Sequence, residues 1–305
     1  MAAASIHSID HFALNLPDLA GAERFTSTVG LDVRRIGDEL QLRAAGGDHV
    51  WGRVLPGDRK SLAYLSLGCY EKDLEALRKQ ASAAGAELAS PHPRGDAQGF
   101  WFRDPDGNLI QVKVAKKTQP DAKASLRDAS IPASTRGAVC RSKAPKVRPT
   151  RLSHVLLFTP DVSRAVDFYQ AAVGLNLSDR SGEIIAFLHA PHGCDHHLVA
   201  FAKSGAKGIH HTSWDVPSFD DVGLAYGQMR SAGHTEQWGV ARHVLGSNYF
   251  CYTRDPWGGW WEHSCHIDYV PAGVKWDAGD HPPEDSLYLW GPDVPPNFVE
   301  NVEPA

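Results

Sequence analysis

The chain carries the same sequence pattern twice. Residues 9–18 (Ile-Asp-His-Phe-Ala-Leu-Asn-Leu-Pro-Asp) recur in outline at residues 152–161, and each copy runs on into an amphipathic stretch and a Val-Gly-Leu triplet. An Arg-Asp-Pro-x-Gly motif follows near the end of each copy, at residues 103–107 and 254–258. Self-similarity of this kind is the mark of repeated structural units. The sequence therefore predicts two homologous halves that differ by a few inserted loop residues.

Within each half the pattern predicts a strand, a helix and several short strands, twice over. Apolar and polar residues alternate in residues 9–16 and 152–158, which is typical of strands with one buried face. Residues 161–169 place apolar side chains at helical spacing behind an aspartate suited to cap a helix. Second helices are predicted at residues 72–84 and 219–231. The expected fold is α+β, with four βαβββ modules in two domains.

Composition shifts along the chain suggest where these domains begin and end. We expect an N-terminal domain at residues 1–117, a linker at 118–149, a C-terminal domain at 150–270 and a tail at 271–305. The linker is rich in Ser, Ala, Pro, Lys and Arg, so it is either a solvated connector or a contact for an acidic partner or neighbouring subunit. The tail contains aromatic residues that are unusual in disordered segments, so we expect it to wrap a groove or an oligomer contact. These aromatic residues are Trp276, Tyr288 and Trp290.

Charge and composition exclude several functional classes. The 31 Lys and Arg residues are outnumbered by 36 Asp and Glu, which leaves a net charge of −5 and no overall basic field for nucleic acid. Residues 1–16 lack the features of a secretory signal, and apolar runs such as 184–188 are too short to span a bilayer. The five cysteines include no C-x-x-C pair, which favours a reducing compartment. We expect a cytoplasmic protein without nucleic-acid or membrane partners.

A metal site is predicted in the second half only. Three strand positions offer two histidines and a glutamate there, against histidine, alanine and glutamine in the first half. The matched pairs are His154 with His11, His211 with Ala63, and Glu262 with Gln111. Because a metal needs several ligands at once, the first half is expected to hold none. Two imidazoles and one carboxylate with open positions describe the facial triad of non-haem iron(II) oxygenases, although zinc also accepts this ligand set.

The choice of ligands depends on strand parity and on charge. His211 is taken as the ligand from the His-His pair, with His210 as its alternative. Glu262 follows two tryptophans, and burying its carboxylate there would be costly unless a cation compensated its charge.

Three motifs resemble those of a known family. They are Leu-Ser-His at residues 152–154, the His-His pair before Trp-Asp-Val at 214–216, and Tyr-x-x-Asp-Pro-x-Gly-x-x-x-Glu at 252–262. Over residues 6–270 the chain resembles the type I extradiol ring-cleavage dioxygenases of the vicinal oxygen chelate superfamily. Residues 284–292 resemble the subgroup that contains trihydroxytoluene oxygenase and a second-type metapyrocatechase.

The resemblance implies a role for each candidate residue. The three ligands would hold Fe(II), with Mn(II) as a second candidate metal. His197 matches an acid–base histidine, with His196 as the alternative, while His243 matches a histidine that bonds the diol and Tyr252 a tyrosine near a substrate oxygen. Asn248 departs from the pattern, because it stands near a position where some members carry another histidine.

The expected function is extradiol (meta) cleavage of a catechol-type diol by O2 in the degradation of aromatic compounds. A methylcatechol or a trihydroxytoluene is the expected substrate. The partners would be the aromatic diol, O2 and further copies of the chain in a homo-oligomer. Two alternatives share the fold: an isomerase or transferase of the glyoxalase type, and a metal-free protein that sequesters drugs.

Overall fold

Two βαβββ modules build the first half of the molecule in our computed structural model, which describes residues 4–125 and 131–303. The first module contains β1 (Ile6–Leu16), α1 (Leu19–Val29), β2 (Asp32–Ile36), β3 (Glu39–Arg43) and β4 (Val50–Pro56). The second contains β5 (Ser61–Cys69), α2 (Leu74–Ala83), β6 (Glu87–Ala89), β7 (Phe100–Arg103) and β8 (Leu109–Val114). Their strands form one eight-stranded sheet in the order β2-β3-β4-β1-β5-β8-β7-β6.

The second half repeats this arrangement. Its first module contains β9 (Arg151–Thr159), α3 (Val162–Val173), β10 (Asn176–Ser181), β11 (Ile185–His189), β12 (Cys194–Asp195) and β13 (Val199–Lys203). Its second contains β14 (Gly208–Asp215), α4 (Phe219–Ser231), β15 (Gln237–His243), β16 (Tyr249–Arg254) and β17 (Trp260–Cys265). The short strand β12 is an addition to the predicted pattern.

Three more strands follow: β18 (Tyr269–Val270) directly before the tail, and β19 (Gly279–Asp280) and β20 (Tyr288–Trp290) within it. Strands β19 and β20 add to the two edges of the second sheet, whose order is β19-β10-β11-β13-β9-β14-β17-β16-β15-β20. The tail therefore runs across one face of this sheet from edge to edge, as expected of a segment that wraps a groove. In the linker, residues 131–140 are exposed, whereas Gln119 and Val147 near its two ends are buried. Arg127 of the linker lies outside the described residues.

The central strands differ from the prediction of one buried face. Almost every residue of β1 and β9 is buried, on both faces of the sheet. Helices and the other half of the molecule cover one face of each strand. In the first half the other face is covered by a cluster around Tyr64 and Trp101 together with polar side chains. In the second half it is covered by site residues and the tail. Polar residues in these strands are thus buried, and each of them needs a hydrogen-bond partner.

The strand register corrects one predicted pairing. In each half the first-strand histidine lies opposite a serine, His11 opposite Ser66 and His154 opposite Ser213. Counting two residues back from each serine matches His211 with Tyr64 and not with Ala63. The irregularity next to this position leaves Ala63 unpaired in the first half and His210 unpaired in the second, so these two residues correspond to each other. A β-bulge of this kind leaves no clear trace in the sequence. The match of Glu262 with Gln111 agrees with the register.

The two halves share one hydrophobic core. The rings of Trp214 and Trp261 from the second half stack in parallel, and Phe12 from the first half packs edge-on against both. Hydrogen bonds also cross between the halves, from Tyr169 Oη to Asp104 at 3.0 Å and between His263 Nε2 and the Val29 carbonyl at 2.8 Å. The interface is therefore packed like the interior of a single domain. Among the described residues, no helix is long and apolar enough to cross a membrane.

The first helix of each half has the same termini. Asp18 and Asp161 are N-caps, and the Asp161 carboxylate accepts a hydrogen bond from the Arg164 backbone N–H at 2.9 Å. Gly30 and Gly174 end the two helices in the left-handed region, with φ of 104° and 70°. Glycine adopts this conformation at little cost. The repeated sequence therefore specifies the same helix in each half, with an aspartate at its start and a glycine at its end.

Replacing the cap of α3 tests this local account. Asp161→Ala should lower the free energy of unfolding by about 1 kcal/mol, because one backbone N–H of the first turn loses its acceptor. Urea unfolding followed by circular dichroism measures the change. Asp167→Ala, an exposed position on the same helix, is the control. Equal stability of the two variants would contradict the capping role.

Candidate metal centre

Three adjacent strands bring the predicted ligands together. Ser213 of β14 lies opposite both His154 of β9 and Glu262 of β17, so these two side chains flank it on one face of the sheet. His211 lies two residues before Ser213 and shares that face, because strand side chains alternate with a period of two. The His154, His211 and Glu262 ligand atoms all lie within 4.8 Å of one another, and all three residues are buried.

The three ligand atoms that converge are all potential acceptors, and a cation between them would suit all three. Glu262 Oε2 lies 3.2 Å from His154 Nε2 and 3.5 Å from His211 Nε2, and the two Nε2 atoms are 3.3 Å apart. Glu262 Oε2 is buried without a hydrogen-bond partner among the described residues. Metal–ligand bonds of about 2.1 Å at right angles put neighbouring ligand atoms about 3 Å apart. The residues present therefore fit a divalent metal.

Hydrogen bonds behind His154 fix which ring nitrogen faces the site. Ser153 Oγ donates to Asp195 at 2.9 Å, so it can accept from His154 Nδ1, which lies 3.2 Å away. The guanidinium of Arg151 contacts the same Asp195 carboxylate at 2.6 Å. His154 Nδ1 thus carries the proton, and Nε2 presents its lone pair to the metal position.

A second chain of hydrogen bonds orients His211. His210 Nε2 donates to the Phe298 carbonyl at 2.6 Å, and the Nδ1 atoms of His210 and His211 are 2.6 Å apart. A neutral His210 therefore accepts the proton of His211 Nδ1, which leaves His211 Nε2 free. Burial lowers the pKa of His210 to about 4, and burial together with His210 holds the pKa of His211 well below its usual value. Both rings are neutral at pH 7, as a metal ligand requires.

The carboxylate of Glu262 is fully buried and is held from one side. Its second oxygen, Oε1, accepts a hydrogen bond from Asn248 Nδ2 at 3.0 Å. Asn248 thus orients the carboxylate so that Oε2 points at the two histidines. The sequence marked this position only as a departure from the family pattern.

A cavity of about 320 Å³ opens above the three ligands. His197, His243 and Tyr252 line it together with His154 and His211, so the structure places the predicted acid–base and substrate-binding residues in one site. His196, the alternative to His197, lies behind it, with Nδ1 3.0 Å from His197 Nδ1.

His243 and Tyr252 form a pair at one side of the cavity. His243 Nδ1 donates to the Leu287 carbonyl of the tail at 2.6 Å, so its Nε2 is the acceptor for Tyr252 Oη at 3.2 Å. Burial and the nearby Glu262 hold the pKa of Tyr252 well above its usual value, so the phenol is neutral. Both groups can rearrange their hydrogen bonds toward a ligand oxygen.

In the first half, polar side chains bond to one another at the corresponding positions. His11 uses both ring nitrogens, toward Asp10 at 2.7 Å and Tyr64 at 3.1 Å. Gln111 accepts from Ser66 and donates to Asp96, and Lys113 bridges Asp10 and Asp96. Both ring nitrogens of His11 are therefore bonded to other protein groups.

Comparison with known proteins shows the family to which the chain belongs. Residues 8–112 and 151–263 match the model of the Glyoxalase/Bleomycin resistance protein/Dioxygenase superfamily, and the chain belongs to this superfamily. It is 55% identical over 299 residues to metapyrocatechase 2 of Cupriavidus necator, covering 98% of this chain and 93% of that protein. The predicted resemblance to the extradiol dioxygenases is confirmed, and the chain is an enzyme of that class.

Solved structures show the same fold. A halotolerant catechol dioxygenase superposes with a TM-score of 0.77 at 21% identity and covers 98% of each chain. The Mn(II)-bound glyoxalase from Novosphingobium aromaticivorans gives a TM-score of 0.75 at 23% identity over 94% of this chain and 91% of its own. The predicted α+β fold of two vicinal-oxygen-chelate domains is confirmed. Because both enzymes share it, the fold alone does not choose between their chemistries.

Asn248 offers a test of the site's geometry. Asn248→Leu removes the donor to Glu262 Oε1, so the carboxylate loses its orientation and metal affinity should fall about 10–100-fold. Competition with a chromophoric chelator, performed anaerobically with Fe(II) and in parallel with Mn(II), measures this affinity. Asn176→Leu, at an exposed position at the start of β10, is the matched control. Unchanged affinity in Asn248→Leu would show that Glu262 is held without this bond.

Proposed function

We propose that the chain catalyses Fe(II)-dependent extradiol cleavage of a catechol-type diol by O2. The observation that carries this proposal is the convergence of three buried acceptor atoms, from two imidazoles and one carboxylate, at the floor of a largely apolar cavity. Three protein ligands on one side leave the remaining coordination positions open to the cavity, as in the iron(II) facial triad. Mn(II) has similar ligand preferences and is the second candidate metal.

His154, His211 and Glu262 would hold the metal. Bound there, it would lower the pKa of a diol hydroxyl and let electrons pass from the electron-rich ring to O2. The protein's own contribution is to aim two imidazole nitrogens and one carboxylate oxygen at the same point, and that oxygen, Glu262 Oε2, has no hydrogen-bond partner among the described residues. The apolar walls exclude water, which strengthens each electrostatic interaction inside the cavity.

His197 would transfer protons at Nε2. Its Nδ1 is bonded to His196, so Nε2 is the ring nitrogen left for a ligand in the cavity. Burial and the neighbouring His154 hold the pKa of His197 well below its usual value, so it begins as a neutral base able to accept a hydroxyl proton. His243 and Tyr252 would hold the diol by hydrogen bonds and fix its orientation.

The cavity walls favour a diol with an uncharged, apolar substituent. Leu156, Phe187 and Leu245 from the sheet and Leu287 and Phe298 from the tail line the space beyond the polar end. Lys203 lies at the exposed rim, where its ammonium group donates to the Pro160 carbonyl. A methylcatechol or a trihydroxytoluene suits these walls, and a carboxylated diol would bury its charge against apolar groups.

The two alternatives are less well supported. A glyoxalase-type enzyme that gathers ligands from both halves would need free donors in the first half, where His11 and Gln111 are bonded to protein groups. A metal-free binding protein would leave Glu262 Oε2 buried beside two lone pairs, which is electrostatically unfavourable.

We further propose a cytoplasmic homo-oligomeric enzyme of aromatic-compound degradation. Five cysteines without a C-x-x-C pair suit a reducing compartment. Leu289 and Trp290 on the edge strand β20 are 63% and 42% exposed, which supports a contact with another copy of the chain.

The activity itself is the first test. Protein purified anaerobically with Fe(II) should consume one O2 per molecule of 4-methylcatechol and form a yellow ring-fission product. His197→Ala should lower kcat by about 10²–10⁴-fold, because a general acid–base group is lost, while metal content stays the same. Oxygen uptake and absorbance at 350–400 nm measure both. His234→Ala, a histidine in a groove remote from the cavity, is the control, and normal turnover in His197→Ala would remove that residue from the mechanism.

Substrate charge tests the role of the walls. The kcat/KM for 4-methylcatechol should exceed that for 3,4-dihydroxybenzoate by about 10²-fold or more, since the carboxylate would be desolvated without a partner. Steady-state oxygen uptake with each diol gives the ratio. Equal values would show that a charged substituent is accommodated and that the apolar wall does not select the substrate.

A further inference from the structure

A chain of hydrogen bonds leads from His197 away from the cavity to the C-terminal tail. His197 Nδ1 lies 3.0 Å from His196 Nδ1, and His196 Nε2 lies 2.7 Å from Asp179 Oδ2. All three side chains are buried, with relative exposures of 3%, 0% and 6%. A buried carboxylate behind two histidines in series is an unusual arrangement, because each member must find a partner or lose free energy.

The contacts of Asp179 show that it is an ionised acceptor. Its Oδ1 accepts from the Gly279 N–H at 2.7 Å and faces His281 Nε2 at 3.2 Å. Its Oδ2 accepts from Trp276 Nε1 at 3.3 Å as well as from His196. Burial favours the neutral acid, but these donors hold the pKa of Asp179 below its usual value.

The direction of each hydrogen bond follows from this acceptor. With Asp179 ionised, His196 Nε2 must donate to it, and the Nδ1 of a neutral His196 is then an acceptor. Only one orientation of the proton satisfies the last contact, in which His197 Nδ1 donates to His196 Nδ1. His197 is thereby held in the tautomer whose Nε2 lone pair faces the cavity.

We propose that Asp179 and His196 are positioning residues that act through His197. They fix its ring orientation and its tautomer, so that Nε2 is ready to accept the diol proton. A carboxylate plays the same part behind the histidine of a catalytic triad, where it sets the tautomer without itself taking the proton. This inference rests on the proposed function, in which His197 is the acid–base group.

The tail is a necessary part of this arrangement. Trp276, Gly279 and His281 all belong to it, and they supply donors to the carboxylate of Asp179 on β10. Strand β19 also pairs with β10 at Asp179. The tail thus holds the Asp179 carboxylate in place. This carboxylate acts on His197, two residues further along the hydrogen-bond chain, at the edge of the substrate cavity.

Two substitutions of His196 separate positioning from simple packing. His196→Phe keeps an aromatic ring but removes both hydrogen bonds. His196→Asn places Oδ1 where Nδ1 was, so it can still accept from His197. We expect kcat for 4-methylcatechol to fall about 10–100-fold in His196→Phe and to recover most of that loss in His196→Asn. Metal content and anaerobic diol binding should be unchanged in both variants.

A double-mutant cycle shows whether the effect passes through His197. In a His197→Ala background, His196→Phe should cause no further loss of kcat, because the group that it positions is already gone. Asp179→Asn should behave as His196→Phe does, since an amide facing His196 reverses the chain of donors. His7→Phe removes a buried histidine of the first half that bonds Ser8 and the Ala115 carbonyl, and it should leave kcat unchanged.

Three results would overturn the inference. They are wild-type kcat in His196→Phe, an equal loss in His196→Phe and His196→Asn, and a loss that persists in the His197→Ala background. If Asp179→Asn does not fold, the His196 pair decides the question. Absence of ring cleavage by the wild-type enzyme with any diol would refute the proposed function and this inference with it, whereas an active wild type with a normal His196→Phe refutes the inference alone.

Discussion

The site depends on an electrostatic conflict at Glu262. Its carboxylate is fully buried, one oxygen has no donor among the described residues, and two imidazole nitrogens face that oxygen with their lone pairs. Such a cluster is unfavourable in a low-dielectric interior unless a cation lies between its members. Metal binding and the local stability of β9, β14 and β17 are therefore linked, because the same three side chains determine both.

Each histidine that faces the site is backed by a hydrogen-bond partner at Nδ1. Ser153 backs His154, His210 backs His211, His196 backs His197, and the Leu287 carbonyl backs His243. In every case Nε2 is the ring nitrogen on the side of the cavity, and in His243 it is bonded to Tyr252 there. Three of these chains end in the tail, at Phe298, at Leu287 and at the residues around Gly279. The tail therefore sets the direction of the site's lone pairs besides closing the cavity.

Much of this architecture could be predicted because the repeat carries it. The duplicated motifs gave four βαβββ modules, and matching the two copies singled out three ligand positions in one half. The match of His211 to Ala63 was wrong, because Ala63 corresponds to the bulged His210 and Tyr64 corresponds to His211. The expected one-sided burial of β1 and β9 was also wrong, because both faces of these strands are covered.

The groups that orient the site residues could not be predicted. Asn248, Asp179 and the carbonyl of Phe298 act through contacts between segments far apart in the chain, and a backbone carbonyl has no signature in the sequence. One signal was present, since Ser153 directly precedes His154 in the Leu-Ser-His motif. Its significance depends on Asp195, which only the folded chain brings beside it.

The most direct test of the account is a count of metal ions bound by chelator-stripped protein under anaerobic conditions. We expect one Fe(II) or Mn(II) per chain, with a rise in Tm as metal binds the native state. Glu262→Gln should abolish both effects, while Gln111→Leu at the matching position of the first half should still bind one ion. The claim that His154, His211 and Glu262 form a metal site would be contradicted by either of two results. One is a wild-type protein that binds no metal, and the other is a Glu262→Gln variant that binds metal as well as the wild type does.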